Sequence, residues 1–319
     1  MNWGCIPTKA LLKSANVFEY IEHAEDYGIS VAKPKADFGG MVKRSRGVAE
    51  GMSKGVQFLM KKNKIDVIMG NGKLLPGKQL EVTDEAGKKQ TLSADHIIIA
   101  TGARSRQLPS IPQDGKNIIG YREAMTLKDQ PKRMVVVGSG AIGVEFAYFY
   151  NAIGTEVTVV EYQDRIVPVE DSDVSKQLEK SFKKSGIKVM TSSEVLGVES
   201  KGKEQVVKIK TKKGEETIAC DVVLSAAGVV ANIENIGLED VGIVVDHGKV
   251  VVDDYYATNI PGYYAIGDCA PGPALAHVAS AEGITCVEKI AGHTPEPIDY
   301  GNIPGCTYCF PEVASVGMT

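Results

Sequence analysis

The chain has 319 residues, of which 36 are basic, 40 are acidic and 43% are hydrophobic, and its formal net charge is −4. This length allows about two domains with ordinary cores, and the interspersed charges exclude the basic footprint of a nucleic-acid-binding protein. No apolar run approaches the roughly 18 residues that span a bilayer, and the first residues lack a signal peptide's basic and apolar regions. We therefore expect a cytoplasmic globular protein with no nucleic-acid or membrane partner.

Two helices are predicted first. One runs from Pro7 to about Ile21 and the other from Gly39 to about Lys62, each with apolar residues at helical spacing. Cys5 precedes the first helix and Lys9 follows about one turn later. Since a helix N-terminus carries roughly half a positive charge, both features favour the thiolate form of Cys5.

Strand patterns follow. Ile65–Met69 reads as a strand, and short runs around 80–82 and 90–92 are separated by turn residues, which predicts a small meander. The apolar run Ile97–Gly102 ends at Thr-Gly, as a buried parallel strand does at its carboxyl end.

A strand–turn–helix–strand unit begins at Met134 and ends at Glu161, which predicts a βαβ fold. A charged helix at 174–184, strands near Val189 and Val206 and the run 221–226 would complete an α/β domain that ends near Val245. Further strands are expected from 249 to 266, where the chain reaches the pair Gly267-Asp268.

The turn of this βαβ unit reads Gly138-x-Gly140-x-x-Gly143. In such a turn the first glycine allows a tight bend, the second lets the backbone approach a pyrophosphate, and the third permits close helix–strand packing. Glu161 lies 23 residues after Gly138, where a carboxylate can accept hydrogen bonds from a ribose hydroxyl. A 2′-phosphate would meet like charge there, so NAD rather than NADP is predicted.

The six cysteines are too scattered for the disulfide framework of a small secreted protein, so most are expected to be reduced thiols. Cys306-x-x-Cys309 has zinc-like spacing, but no second ligand pair follows it. We predict no metal site.

The stretch Asn2-Trp3-Gly4-Cys5-Ile6-Pro7-Thr8-Lys9-Ala10-Leu11-Leu12 resembles the redox-disulfide motif of the flavin-dependent pyridine nucleotide-disulfide oxidoreductases, and specifically their lipoamide branch. Other stretches resemble further landmarks of that family, in the family's order: 97–102, 134–161, 263–268, 275–283 and 311–317. The resemblance implies an α/β fold with two Rossmann-like dinucleotide-binding domains, for FAD and NAD, of which the FAD domain is incomplete. Its implied boundaries are 1–118 (partial FAD domain), 119–247 (NAD domain), 248–300 (return to the FAD and central domain) and 301–319 (start of a dimerisation domain).

The resemblance also implies roles for individual residues. Cys5 would be the flavin-proximal cysteine, and Lys9 and Glu145 would form the ion pair beside the flavin, although the spacing of these two residues does not establish a pairing. The implied FAD contacts are Lys9, Gly72, Ala100, Thr101, Gly102, Asp268, Ala274, Leu275, Ala276 and His277. The implied NAD contacts are Gly138, Ser139, Gly140, Ala141, Ile142, Gly143, Val144, Glu145, Glu161, Val195 and Gly228. One stretch departs from the family: Gly228-Val229-Val230-Ala231-Asn232 has no arginine where relatives commonly have one.

The implied reaction is the FAD-dependent oxidation of dihydrolipoamide, carried on a lipoyl domain of a 2-oxoacid dehydrogenase complex or of the glycine cleavage system, with reduction of NAD⁺ by a homodimer. The family's motif has a second cysteine five positions before Cys5, and its first Gly-rich motif and its carboxyl-terminal His-Glu pair also fall outside this sequence. We therefore expect the 319-residue chain alone to give no lipoamide-dependent NADH formation. The alternatives are a glutathione reductase-like or mercuric reductase-like enzyme, or a non-catalytic NAD-binding protein.

Overall fold

A computed structural model describes residues 1–318. The helices are α1 Cys5–Glu22, α2 Phe38–Lys62, α3 Tyr121–Ala124, α4 Ala141–Ala152, α5 Ser172–Lys184, α6 Leu238–Val241 and α7 Ala276–Ile290, with short 3-10 turns at Ala24–Tyr27, Gly267–Cys269 and Tyr300–Asn302. The strands are β1 Asn71–Leu75, β2 Gln79–Thr83, β3 Lys89–Ser93, β4 Ile97–Ile99, β5 Ala103–Ser105, β6 Ile118–Ile119, β7 Arg133–Val137, β8 Glu156–Val160, β9 Lys188–Met190, β10 Glu194–Lys201, β11 Glu204–Thr211, β12 Gly214–Cys220, β13 Val222–Ser225, β14 Val229–Ala231, β15 Val245–Asp246, β16 Lys249–Val250, β17 Tyr263–Ala265, β18 Gly305–Thr307 and β19 Val313–Ser315.

Contacts among these elements divide the chain into two compact units. The first comprises Met1–Phe58, Ser105–Gly228 and 304–318, and the second comprises Leu59–Arg104 and Val229–Ile303. The domain boundaries that the family resemblance implies are a different kind of division, and they stay a prediction.

The first unit is built on a five-stranded parallel sheet in the order β6-β13-β7-β8-β9. Four of the five residues of β7 and of β8 are buried, which is the pattern of strands that are covered on both faces. The helix α4, which is buried from Gly143 to Tyr150, follows β7 and leads into β8. The predicted βαβ unit is therefore confirmed.

The two N-terminal helices are confirmed, with differences in detail. α1 begins at Cys5 rather than Pro7, because the first N–H groups of a helix have no intrahelical partner and a proline in the first turn costs no hydrogen bond. The buried face of α2 consists of Phe38, Ser45 and Ala49, whereas Met52, one of the apolar residues at helical spacing that predicted this helix, is 50% exposed. Ser45 donates a hydrogen bond to the carbonyl of Pro7 at 2.8 Å. No helix within residues 1–318 is long and apolar enough to cross a membrane.

The sequence patterns missed most of a second sheet in the first unit. Only a strand near Val206 was predicted, but β10, β11 and β12 form a three-stranded antiparallel sheet. On β11 alternate residues are buried, at Gln205, Val207 and Ile209. The lysines and glutamates of β10 and β12 face outward and conceal the two-residue period.

The second unit contains the predicted meander, formed by β1, β2 and β3, and a parallel pair formed by β4 and β17. The prediction of a strand at Ile65–Met69 is wrong, since those residues have no regular structure and Met69 is 79% exposed. An apolar run becomes a strand only where its backbone groups can pair with a neighbouring strand. The central strand of the meander, β2, is already paired with β1 on one side and with β3 on the other. β4 is parallel as predicted, but only Ile99 of its three residues is buried.

Candidate functional site

The three glycines of the turn between β7 and α4 differ in what an added side chain would contact. Gly138 has φ +97°, and a Cβ there would lie 2.6 Å from the carbonyl oxygen of Ala226. A Cβ on Gly143 would lie 2.0 Å from the carbonyl oxygen of Gly138. A Cβ on Gly140 would meet no atom within 4 Å. The open space therefore lies at Gly140, the N-cap of α4, where unpaired N–H groups attract an anion such as a pyrophosphate.

Glu161 follows β8 and is buried. One carboxylate oxygen accepts hydrogen bonds from the Ser139 backbone N–H at 2.8 Å and the Ser139 hydroxyl at 2.6 Å, and the other accepts one from the Gln163 N–H at 2.8 Å. A carboxylate offers about four acceptor positions. These three bonds hold the glycine-rich turn and leave capacity for one further donor, such as a ribose hydroxyl.

The other residues implied in NAD binding lie in the same unit. Ala141, Ile142 and Val144 belong to the first turn and a half of α4. Gly228 lies three residues after the end of β13, which runs parallel to β7. The N–H of Ala226, the residue directly after β13, donates to the carbonyl of Val137 at the end of β7. The segment of Gly228 and the glycine-rich turn therefore leave the sheet at the same edge. Val195 is a buried residue of β10.

The structure brings Lys9 and Glu145 together, although 136 residues separate them. The Lys9 ammonium lies 2.8 and 2.9 Å from the two carboxylate oxygens of Glu145. Glu145 is 3% exposed, whereas the Lys9 side chain is 34% exposed. Because a buried carboxylate is costly without a partner, this ion pair is what allows Glu145 to lie in an otherwise apolar helix.

Tyr308 contacts both members of this ion pair, and the sequence patterns did not identify this residue. Its backbone N–H donates to Glu145 at 2.9 Å, and its ring centroid lies 4.8 Å from the Lys9 ammonium. An aromatic face attracts a cation at this distance. The backbone bond carries no sequence signal, so only the structure could identify it.

Cys5 is the first residue of α1 and is exposed. The Lys9 ammonium one turn later is committed to Glu145, so it is not aimed at the thiol. All six cysteines are free, and Cys309 lies in the core, where burial raises the pKa of its thiol to about 12. Within residues 1–318 no group of three or more His, Cys, Asp or Glu side chains could hold a metal ion.

In the second unit two predicted flavin-contacting segments leave the sheet side by side. β4 and β17 are parallel, and the Ile266 N–H donates to Ile99, so Ala100–Gly102 and Gly267–Asp268 both follow the carboxyl ends of paired strands. Ligands of α/β folds bind at such ends. The Asp268 carboxylate is half-buried, and no hydrogen bond or ion pair to it is found within this unit as described. It is therefore available to a ligand hydroxyl.

The remaining predicted flavin contacts lie on other elements of the second unit. Leu275 is the N-cap of α7, preceded by Ala274, and Ala276 and His277 are the first two residues of the helix. Gly72 lies in the meander, paired with Val82, and not in the β4–β17 pair after which Asp268 follows. The segment that lacks the family's arginine is tied down by Asn232, whose side chain donates to the Thr101 carbonyl at 3.0 Å.

A parallel sheet with an open glycine-rich turn, and an exposed thiol one helical turn from a buried ion pair, define a dinucleotide-binding oxidoreductase. Comparison with known proteins narrows this class. The family model for pyridine nucleotide-disulphide oxidoreductases matches residues 1–283, so the chain belongs to that family.

Individual proteins that are similar to this chain carry names of the same class of enzyme. Dihydrolipoyl dehydrogenase of Rhizobium etli is 47% identical, over 100% of this chain and 70% of the relative. The enzyme of the same name from Zymomonas mobilis is 45% identical, over 100% of this chain and 69% of the relative. The crystal structure of LpdA from Mycobacterium tuberculosis superposes with a TM-score of 0.93 at 30% identity, covering 99% of this chain and 69% of the other.

Proposed function

We propose that this chain takes part in the FAD-dependent oxidation of dihydrolipoamide to lipoamide with reduction of NAD⁺ to NADH, a reaction that we do not expect the 319 residues to complete on their own. The observation that carries the proposal is the Lys9–Glu145 pair, held one helical turn from the exposed Cys5 in the same unit as the glycine-rich turn. Relatives named dihydrolipoyl dehydrogenase, up to 47% identical along the whole chain, support the choice of substrate.

The overall reaction converts two thiols and NAD⁺ into a disulfide, NADH and a proton. Bound FAD would supply the two-electron chemistry between thiols and nicotinamide. Cys5, which is exposed at the start of α1, would be the flavin-proximal cysteine of the redox-active disulfide. Lys9 would present a cation whose position is set by Glu145 and by the Tyr308 ring.

The residues of both nucleotide-binding regions suit the groups that they would hold. In the first unit Gly140 leaves space for a pyrophosphate, and Glu161 would accept a bond from a ribose hydroxyl and repel a 2′-phosphate. In the second unit the half-buried Asp268 carboxylate would accept bonds from the hydroxyls of FAD. The predicted ligands are therefore NAD and FAD.

Three finer statements belong to the same proposal. The dihydrolipoamide would be carried by a lipoyl domain of a 2-oxoacid dehydrogenase complex or of the glycine cleavage system. The working enzyme would be a homodimer, and it would act in the cytoplasm. The first is tested by activity with isolated lipoyl domains, and the second by the mass of the purified protein in solution.

The main experiment measures NADH formation from dihydrolipoamide and NAD⁺ by the protein that its gene encodes. We expect activity that is abolished by Cys5→Ser and retained by Cys286→Ala, a matched change of a buried cysteine. Undiminished activity of the Cys5→Ser variant would contradict the proposal. NADPH-dependent reduction of glutathione disulfide, or NAD binding without any turnover, would support the alternatives instead.

A further inference from the structure

A buried carboxylate in the second unit has no role in the chemistry above. Glu282 is 1% exposed and lies on the inner face of α7 with Val278 and Cys286. A charged group in this environment requires strong hydrogen-bond donors. Its two donors are the backbone N–H of Gly267, which binds one oxygen, and the Tyr300 hydroxyl, which lies 2.8 Å from the other.

The hydroxyl of Tyr256 extends this set of bonds, since it lies 3.0 Å from the Tyr300 hydroxyl. Because an ionised carboxylate only accepts and Tyr300 has one proton to give, Tyr256 must be the donor to Tyr300. Burial and the neighbouring Glu282 raise the pKa of Tyr300, so it stays protonated and keeps its donor role. Tyr256 has φ +67°, an unfavourable conformation for a bulky residue.

The bond from Gly267 reaches a turn that is fixed from several sides. Lys249 donates to the Asp268 carbonyl, and the Cys269 thiol donates to the Ile99 carbonyl at 3.4 Å. Gly267 has φ +69°, and a Cβ there would lie 3.2 Å from Ala279 of α7. These contacts engage the backbone of the turn and leave the Asp268 carboxylate without a partner in this unit.

We propose that Glu282 is a positioning residue for flavin binding: together with Tyr300 and Tyr256 it fixes the Gly267–Cys269 turn so that the Asp268 carboxylate is presented to FAD. The inference rests on the proposed function, in which Asp268 contacts FAD. It adds a group that does not touch the cofactor and acts only through the backbone of Gly267.

The test measures FAD affinity in the protein that its gene encodes. Glu282→Ala leaves the Gly267 N–H without a partner, and we expect about a tenfold loss of FAD affinity. Glu282→Gln keeps an oxygen for Gly267 and can donate to Tyr300, so it should stay within about threefold of wild type. Glu288→Gln is the matched control on the exposed face of α7 and should change nothing.

A purely structural role is distinguished by combining variants. If Glu282 acts through Asp268, Glu282→Ala should cost little further FAD affinity in an Asp268→Asn background, whereas independent effects would multiply. NAD affinity, which depends on the first unit, should not change in any variant. Tyr300→Phe should weaken FAD binding several-fold, and it keeps the test available where Glu282→Ala fails to fold.

The two proposals fail in different ways. If wild type binds no FAD, the proposed function fails at the flavin and the role of Glu282 fails with it. If wild type binds FAD and the Glu282→Ala variant binds it equally well, only the positioning role is overturned. The same holds if the losses caused by Glu282→Ala and Asp268→Asn simply multiply.

Discussion

Lys9→Met is the change that most directly tests the ion pair. Methionine keeps the apolar stem but removes the ammonium, so the buried Glu145 retains only the bond from the Tyr308 N–H. Breaking a fully buried ion pair costs about 3–5 kcal/mol. Since one third of the Lys9 side chain is exposed and water can partly replace it, we expect a loss of about 2 kcal/mol in the free energy of unfolding.

A double-mutant cycle separates the pair from other effects. Glu145→Gln keeps an acceptor for Tyr308 and leaves a lysine that water can solvate, so it should cost about 1 kcal/mol. In the double variant Lys9→Met/Glu145→Gln no charge is stranded, and the total loss should fall short of the sum of the single losses by about 1 kcal/mol or more. Lys13→Met, on the exposed face of the same helix, is the matched control.

The assay is urea unfolding followed by fluorescence. The chain has one tryptophan, Trp3, which belongs to the same unit and stacks against Arg46 with a separation of 4.8 Å between the guanidinium carbon and the ring centroid. Its emission therefore reports on unfolding of the first unit, with the midpoint giving the change in stability at constant slope. Equal losses for Lys9→Met and Lys13→Met, or strictly additive losses in the cycle, would refute the reasoning.

Three further predictions concern the glycine-rich turn, Glu161 and the thiols. Gly140→Ala should leave the unfolding midpoint nearly unchanged but weaken NAD binding about tenfold or more in a titration, whereas Gly143→Ala, whose methyl group meets a carbonyl, should lower stability by roughly 1–3 kcal/mol. Glu161→Gln should reduce the preference for NAD over NADP, measured as the ratio of the two dissociation constants, because it removes the charge that repels a 2′-phosphate; an unchanged ratio would count against it. In a thiol titration near pH 8 the exposed Cys5 should react first, and its signal should vanish in the Cys5→Ser variant. Cys309 should react only after unfolding or as the pH approaches about 12, because burial raises the pKa of its thiol to about 12 and keeps it protonated below that value.

The parts of the fold that local chemistry decides could be predicted from the sequence. The βαβ unit could be predicted because its strands are mostly apolar and the glycines of its turn have local reasons, of which the structure confirms those of Gly138 and Gly143. Ile65–Met69 was wrong because strand formation depends on a partner that a local pattern does not reveal. The pairing of Lys9 with Glu145 joins residues far apart in sequence. One signal was available: Glu145 is the only charged residue of the apolar helix α4, and a buried carboxylate implies a cation nearby.

The same device occurs at both predicted nucleotide-binding turns. In the first unit Glu161 accepts the backbone N–H of Ser139, and in the second Glu282 accepts that of Gly267, so each turn at the end of a parallel strand is held by a buried carboxylate. Their remaining acceptor positions differ in use. Glu161 follows its strand at the edge where ligands of such sheets bind, whereas the second oxygen of Glu282 is occupied by Tyr300 on the inner face of a helix. Substitution of Glu161 should therefore change which nucleotide is preferred, whereas substitution of Glu282 should change affinity for FAD only through the conformation of the turn.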